Sequence, residues 1–141
     1  MSEIFDRRRL RSHVRIWRGE VPIGSGFVVG ERHVMTCAHV VADSCGKRAE
    51  LRGRNEPPAD IRVRMDMPSA PGAFFTGKVV PVSWRPERGV ESEELDDIAV
   101  LELCAGELPA SSRPVGKTRR VRDGDVIVGF GIAAKLAAGV A

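Results

Sequence analysis

Apolar and polar positions alternate in short runs along the first half of the chain. In HVRIW (13–17), and again over 21–29, valine, isoleucine, phenylalanine and tryptophan recur between polar or glycine positions, the pattern of strands with one buried face. The pairs Gly19-Glu20 and Gly30-Glu31 bound these runs as hairpin turns would. Val34 and Met35 continue as a short strand, and residues 38–42 offer one turn of helix before Asp43, Ser44 and Gly46 break it. IRVRM (61–65) alternates apolar side chains with arginine, which predicts a strand with one face in water. Residues 77–84 and 98–103 are two further strands, the second so uniformly apolar that it reads as central.

Loops punctuate these elements at 55–60 with a Pro-Pro pair, at 67–72 with two prolines and at 85–95 with a high density of charge. Proline, glycine and charge in such clusters mark turns and connections. No helical period survives beyond one or two turns, and no internal repeat is visible. About six short strands with such loops predict an all-β fold, a six-stranded antiparallel barrel over 13–107. A basic arm, 1–12, precedes it. Residues 108–120, with Pro109, Pro114 and Gly116, form a linker. Residues 121–130 read as one more strand with a turn at Asp123-Gly124, and the terminal IAAKLAAGVA receives no assignment.

Composition narrows the class without naming a function. At 141 residues the chain suits one domain, and 43% apolar with 29% charged residues is ordinary for a soluble globular protein. The formal net charge is only +3. Arginine clusters at 7–11 and 113–122 flank an acidic stretch at 87–97, which is surface patterning and not a nucleic-acid footprint. No apolar run is long enough for a bilayer, and no secretory signal precedes the first strand. A cytoplasmic location is therefore expected, where Cys37, Cys45 and Cys104 stay reduced. Their odd number and the absence of a C-x-x-C spacing predict neither disulfide nor metal site. No cofactor is implied, since no phosphate-binding glycine loop or paired-carboxylate site occurs.

The segment TCAHVV (36–41) carries the candidate chemistry. A lone histidine in a β domain is ordinarily structural, but small residues just after a strand let a tight turn present the His39 ring at an edge. A general base needs such a fixed imidazole, with an acid behind it and the other ring nitrogen accessible. Asp97 is the candidate acid. It directly precedes the strand IAVL and is expected to be buried more readily than Asp96, with an imidazole N–H to keep it ionised.

These residues carry a resemblance. GSGFVVGERHVMTCAHVV (24–41) resembles the region of trypsin-like (chymotrypsin-fold) serine peptidases where a G-[ST]-G-F strand leads to T-A-A-H. DDIAVLEL (96–103) is similar to the D-I-A-[VL]-L segment that follows their catalytic aspartate. The resemblance implies a first barrel that carries His39 as base and Asp97 as orienting acid, and a second barrel with the nucleophilic serine. It covers roughly residues 14–131. Cys37 stands where the family commonly has alanine, and an Ile-Val-Gly-Gly activation end has no counterpart.

No serine fits the family's G-[DN]-S-G-G loop. Nine serines were candidates, at 2, 12, 25, 44, 69, 83, 92, 111 and 112. Ser25 has glycine neighbours, yet Ile23 stands where that motif begins with glycine, and its place before His39 matches the G-S-G-F strand. The residues after Leu103 are too few for six strands of roughly 5 to 6 residues with their loops. A second barrel is thus expected to be essentially missing, residues 121–141 being its truncated start or a tail. The chain is expected to be the amino-terminal part of an endopeptidase, inactive alone, or else a degenerate, non-catalytic interaction module. A completed enzyme would act on a protein or peptide substrate, and the unpartnered barrel face is expected to expose apolar surface and to self-associate. His13 and His33 are expected to face solvent, Trp17 and Trp84 to pack the barrel, and Phe74-Phe75 to pin a loop.

Overall fold

The computed structural model describes residues 10–89, 96–116 and 123. The strand read over 121–130 and the terminal segment lie outside the described residues, apart from Asp123. Six antiparallel strands form one closed barrel: β1 (His13–Arg18), β2 (Val21–Gly30), β3 (His33–Thr36), β4 (Val63–Met67), β5 (Ala70–Val79) and β6 (Ala99–Ala105). Their order around the barrel is β1-β2-β3-β6-β5-β4, and the β1–β4 ladder, with Ile16 opposite Met65, closes it. Closure leaves no unpaired edge.

The alternation in the sequence becomes the barrel's inside and outside. Val14 and Ile16 of β1, Val34 of β3, Val63 and Met65 of β4, and Ala99, Leu101 and Leu103 of β6 are buried at every second position. Val28, Phe75 and Val79 fill the remaining interior. Two short helices, α1 (Ala38–Ser44) and α2 (Arg48–Leu51), add Val40, Val41 and Leu51 to the same core. Helix α1 outruns the single turn expected and stops in a Schellman motif. Gly46, at φ +72°, lets Lys47 N–H reach Ala42 O at 2.8 Å while its own N–H bonds Asp43 O at 3.1 Å. Helix α2 is too short for any period to reveal.

Several expectations need correction. The prolines at 68 and 71 do not make a loop of 67–72. Pro68 and Ser69 form a tight turn, and β5 begins at Ala70. At its other end β5 stops at Val79 because Pro81–Ser83 wind into a 3-10 turn, where proline's fixed φ suits the first position and its missing N–H would break a ladder. Phe74 and Phe75 accordingly belong to β5: Phe75 is core, and Phe74 meets Trp17 edge-to-face on the outside, with ring centroids 5.5 Å apart. The outer face of β4 is not simply in water either. Asp66 is fully buried there, gripped by Arg15 Nε at 2.9 Å, Arg15 Nη2 at 2.6 Å, Trp17 Nε1 at 2.8 Å and Gly72 N–H at 3.1 Å. Trp17 therefore packs outside the barrel, whereas Trp84 is core and donates Nε1–H to Arg54 O at 2.9 Å.

The G-S-G-F segment has a packing reason for each glycine. A Cβ on Gly24 would lie 2.5 Å from Val40 Cγ1, so α1 rests directly on β2. A Cβ on Gly26 would lie 2.6 Å from the Met35 carbonyl oxygen, a backbone atom that cannot step aside. Gly26→Ala is expected to lower stability by about 1–3 kcal/mol as an overpacked site; a urea midpoint unchanged from the parent would contradict this close approach. No helix among the described residues is long and apolar enough to cross a membrane.

Candidate active site

Strand pairing builds the site. In the β3–β6 ladder Thr36 lies opposite Ala99, so in antiparallel geometry the residues just after 36 and just before 99 leave the barrel at the same end. Thr36 is itself fixed, its hydroxyl donating to Ser25 O at 2.9 Å. The chain then turns through Cys37 into α1, and His39 is the second residue of that helix. Asp97 approaches from the other side with φ 84°, a conformation uncommon for aspartate, held by Asp97 N–H to Arg85 O at 3.0 Å and the Arg85–Ile98 bridge.

The two meet through both carboxylate oxygens. His39 backbone N–H donates to Asp97 Oδ1 at 2.8 Å, and Asp97 Oδ2 stands 2.6 Å from His39 Nδ1. An ionised carboxylate only accepts, so the Nδ1 proton belongs in that bond, leaving the Nε2 lone pair available. The side chains are 31% and 27% exposed, open enough for reactants. Burial does not separate Asp97 from Asp96 as expected. Asp96 is 22% exposed and pairs with Arg88 Nε at 2.9 Å; the distinction between them is made by backbone turn and register.

Charged groups brace the same end. Glu87 accepts from Arg48 Nη2 at 2.7 Å and from Arg52 Nε at 3.2 Å, and its carbonyl takes Gly53 N–H at 2.7 Å. This ties the segment leading toward Asp97 to α2, just beyond the helix of His39. The hydrogen bond from Arg48 is the main reason that the Glu87 carboxyl falls to about 2, with Arg52 adding to it against the cost of burial. Such a shift would correspond to about 3 kcal/mol if fully protected. Arg48 and Arg52 are 43% and 51% exposed, and solvent screening reduces the contribution to about 1 kcal/mol. Because the folded value lies below the unfolded one, this stabilisation is present above about pH 4.5 and is lost as the pH falls toward 2. Glu87→Gln should therefore lower the urea midpoint at pH 7 and converge with the parent near pH 2; curves parallel at all pH values would count against it.

Cys37, which the sequence treats as a small filler beside the histidine, packs partly against the core. Burial first, and then the Asp97 charge, push its thiol up. An open cavity of about 480 Å³ adjoins it, lined by Phe27, Met35, Cys37, Asp97 and Ile98. Exposed Phe27 and Ile98 make this rim apolar. Ser25 also lines that cavity, but its recorded hydrogen bond is through its carbonyl to Thr36. Among the described residues no serine hydroxyl is hydrogen-bonded to His39: Ser12, Ser44 and Ser83 bond to the carbonyls of Arg113, Val41 and Val80. His33 is half-buried, with its side chain 43% exposed and its Nε2 3.8 Å from Glu102. His13 is half-buried, not solvent-facing, and burial lowers its pKa.

What sequence reasoning missed here is Glu87, with its two arginines, and the nearness of Cys37 to the His39–Asp97 pair. The first had no signal beyond a charged loop. The second could have been read from the C-x-H spacing at a strand exit.

Among solved structures the chain is similar to neuropsin, a serine protease expressed in the limbic system of mouse brain. The two are 20% identical with a TM-score of 0.43, over 77% of this chain and 43% of that one. The chain thus spans less than half the length of neuropsin. No curated protein matches it. The family model described as a trypsin-like peptidase domain matches residues 24–139, which takes in G-S-G-F, T-C-A-H and D-D-I-A-V-L together. With a closed six-stranded barrel beneath those segments, the chain belongs to the trypsin-like peptidase domain family.

Proposed function

We propose that this barrel supplies the general base and orienting acid of a serine endopeptidase. His39 Nε2 takes the proton of a serine hydroxyl and returns it to the leaving amine. Asp97 holds the tautomer and stabilises the imidazolium that forms between the two steps. The observation that carries this reading is the two-oxygen grip of Asp97 on the backbone N–H and Nδ1 of His39. One carboxylate that binds both the backbone N–H and the ring Nδ1 of His39 fixes the imidazole relative to its own backbone, which is the orientation a general base requires.

The 141 residues by themselves hydrolyse no peptide bond, because none of the nine serines stands in a nucleophile loop. Without the oxyanion donors that such a loop brings, a His–Asp pair acting on water gains little. Purified chain should leave casein and fluorogenic peptides intact. When a segment containing a G-[DN]-S-G-G loop completes it, hydrolysis should appear and should fall about 10⁴-fold or more in His39→Ala. Activity of the bare chain that disappears with His39→Ala would refute its inactivity, and activity of the completed enzyme that survives this substitution would refute the role of His39. The three free cysteines fit a reducing, cytoplasmic setting. The apolar rim formed by Phe27 and Ile98 supports a second reading, a non-catalytic interaction module. The coding sequence after codon 141 discriminates the two: a serine loop in frame favours the peptidase, its absence the module.

A further inference from the structure

Cys37, His39 and Asp97 bring three kinds of donor to one place. The Cys37 sulfur, a ring nitrogen of His39 and a carboxylate oxygen of Asp97 all lie within 4.8 Å of one another. Two of them leave the barrel from the end of β3 and the third enters at the start of β6, so the ladder that assembles the His–Asp pair also delivers the thiol. All three residues are only partly buried, and the cavity beside Cys37 and Asp97 opens to solvent. A hydrated cation has a route in.

We propose that these residues form a binding site for one divalent cation of the zinc class. A thiolate, an imidazole and a carboxylate are the mixed set that zinc accepts, while magnesium and calcium require oxygen donors throughout. Zinc holds sulfur at about 2.3 Å and nitrogen or oxygen at about 2.0–2.2 Å, which sets tetrahedral ligand atoms about 3.5 Å apart. Donors already within 4.8 Å need shifts of about an ångström to reach that geometry. If Nδ1 binds, its 2.6 Å contact with Asp97 Oδ2 opens, while Oδ1 keeps the His39 backbone N–H. Water takes the fourth position.

The proton balance is definite. The cation displaces the thiol proton of Cys37. Neutral imidazole keeps its single proton, on Nε2 if the metal takes Nδ1 and on Nδ1 if it takes Nε2. One proton is therefore released per cation. In either arrangement His39 has no free ring lone pair left. Occupancy would hold the proposed base silent, a consequence that rests on the peptidase reading, whereas binding itself rests only on the three donors.

The test uses the chain with Cys45→Ser and Cys104→Ser, so that Cys37 is its one thiol. Titration with cobalt(II) should give a thiolate-to-cobalt charge-transfer band that saturates at one equivalent and disappears on adding zinc. Calorimetry in buffers of different ionisation enthalpy should show one proton released. Cys37→Ala should remove the band and weaken zinc binding by no less than the about 10- to 100-fold that even outer-sphere partners of a metal cost. Cys37→Ser, close in size, should do the same where the alanine variant fails to fold. A missing charge-transfer band in the Cys37-only protein, or unchanged zinc affinity in a folded Cys37 variant, overturns the site. In a completed enzyme, zinc should inhibit reversibly with chelator and should not inhibit the Cys37→Ala form. Stoichiometric binding without inhibition would leave the site standing and defeat the role given to His39, so the two failures are distinguishable.

Discussion

Asp97→Asn is expected to move the proton of His39 from Nδ1 to Nε2 while leaving the ring where it is. The reason lies in which oxygen does what. Asp97 Oδ1 accepts the backbone N–H of His39 at 2.8 Å, and a backbone donor at that site demands an acceptor. The asparagine amide must therefore turn its oxygen toward the backbone and its NH₂ toward Nδ1, 2.6 Å away. Two donors cannot face each other, so Nδ1 becomes the acceptor and Nε2 carries the proton. Nitrogen-15 NMR of the 141-residue chain reads this tautomer directly, without any catalysis. In a completed enzyme the same change should lower kcat by about 10⁴-fold, the cost of a base presented with its lone pair on the wrong side. A variant whose imidazole kept its proton on Nδ1 would show that Asp97 does not select the tautomer.

Asp66→Ala should be the most damaging substitution outside the site, lowering stability by about 3–5 kcal/mol. Asp66 has no exposed surface, and three residues depend on it: the Arg15 guanidinium, the Trp17 indole and the Gly72 amide. Burial alone would raise its pKa. The hydrogen bonds from Arg15, Gly72 and Trp17, with the Arg15 charge, overcome that and hold it below the usual carboxylate value. Truncation leaves a cation and two N–H groups around a void on the outer face of β4, where the hairpin to β5 is anchored. The contribution is present above about pH 4 and is lost as acid protonates the carboxyl, because the folded value is the lower one. Urea unfolding of Asp66→Ala at pH 7 measures it, and Arg15→Met with Asp66→Leu should recover part of the loss by removing the stranded charge. A midpoint within about 1 kcal/mol of the parent would mean that solvent satisfies the cluster.

The residues differ in how openly they announce these roles. Strands β1 and β2 were legible through short apolar runs bounded by turn residues, with Val14 and Ile16 at every second position, β3 as their short continuation at Val34 and Met35, and β6 through the nearly unbroken apolar run of 98–103. The family fold and the His39–Asp97 pair were legible through two short segments whose glycines and aspartate do specific mechanical work: Gly26 admits a carbonyl, and Asp97 precedes a strand paired to the one before His39. The start of β5 was not legible, since Pro68 and Pro71 look alike as letters while one lies in a turn and the other in a strand. Nor was the Asp66 cluster, because IRVRM seemed to end before it and nothing local says that Arg15 and Trp17, about fifty positions earlier, will cover that carboxylate. Long-range pairing decides such features, and alternation alone cannot express it.

The β3–β6 ladder also governs when chemistry becomes available during synthesis. Its halves are separated by the whole excursion through β4 and β5, a closure that chain entropy makes slow compared with local hairpins. As the polypeptide emerges from the ribosome, β1, β2 and β3 can pair early, and the imidazole then waits without its carboxylate until β6 has emerged and docked. A nascent chain would carry an unoriented ring until the 58 positions that separate His39 from Asp97 have been made, so the last strand to join the barrel delays the meeting of these two side chains.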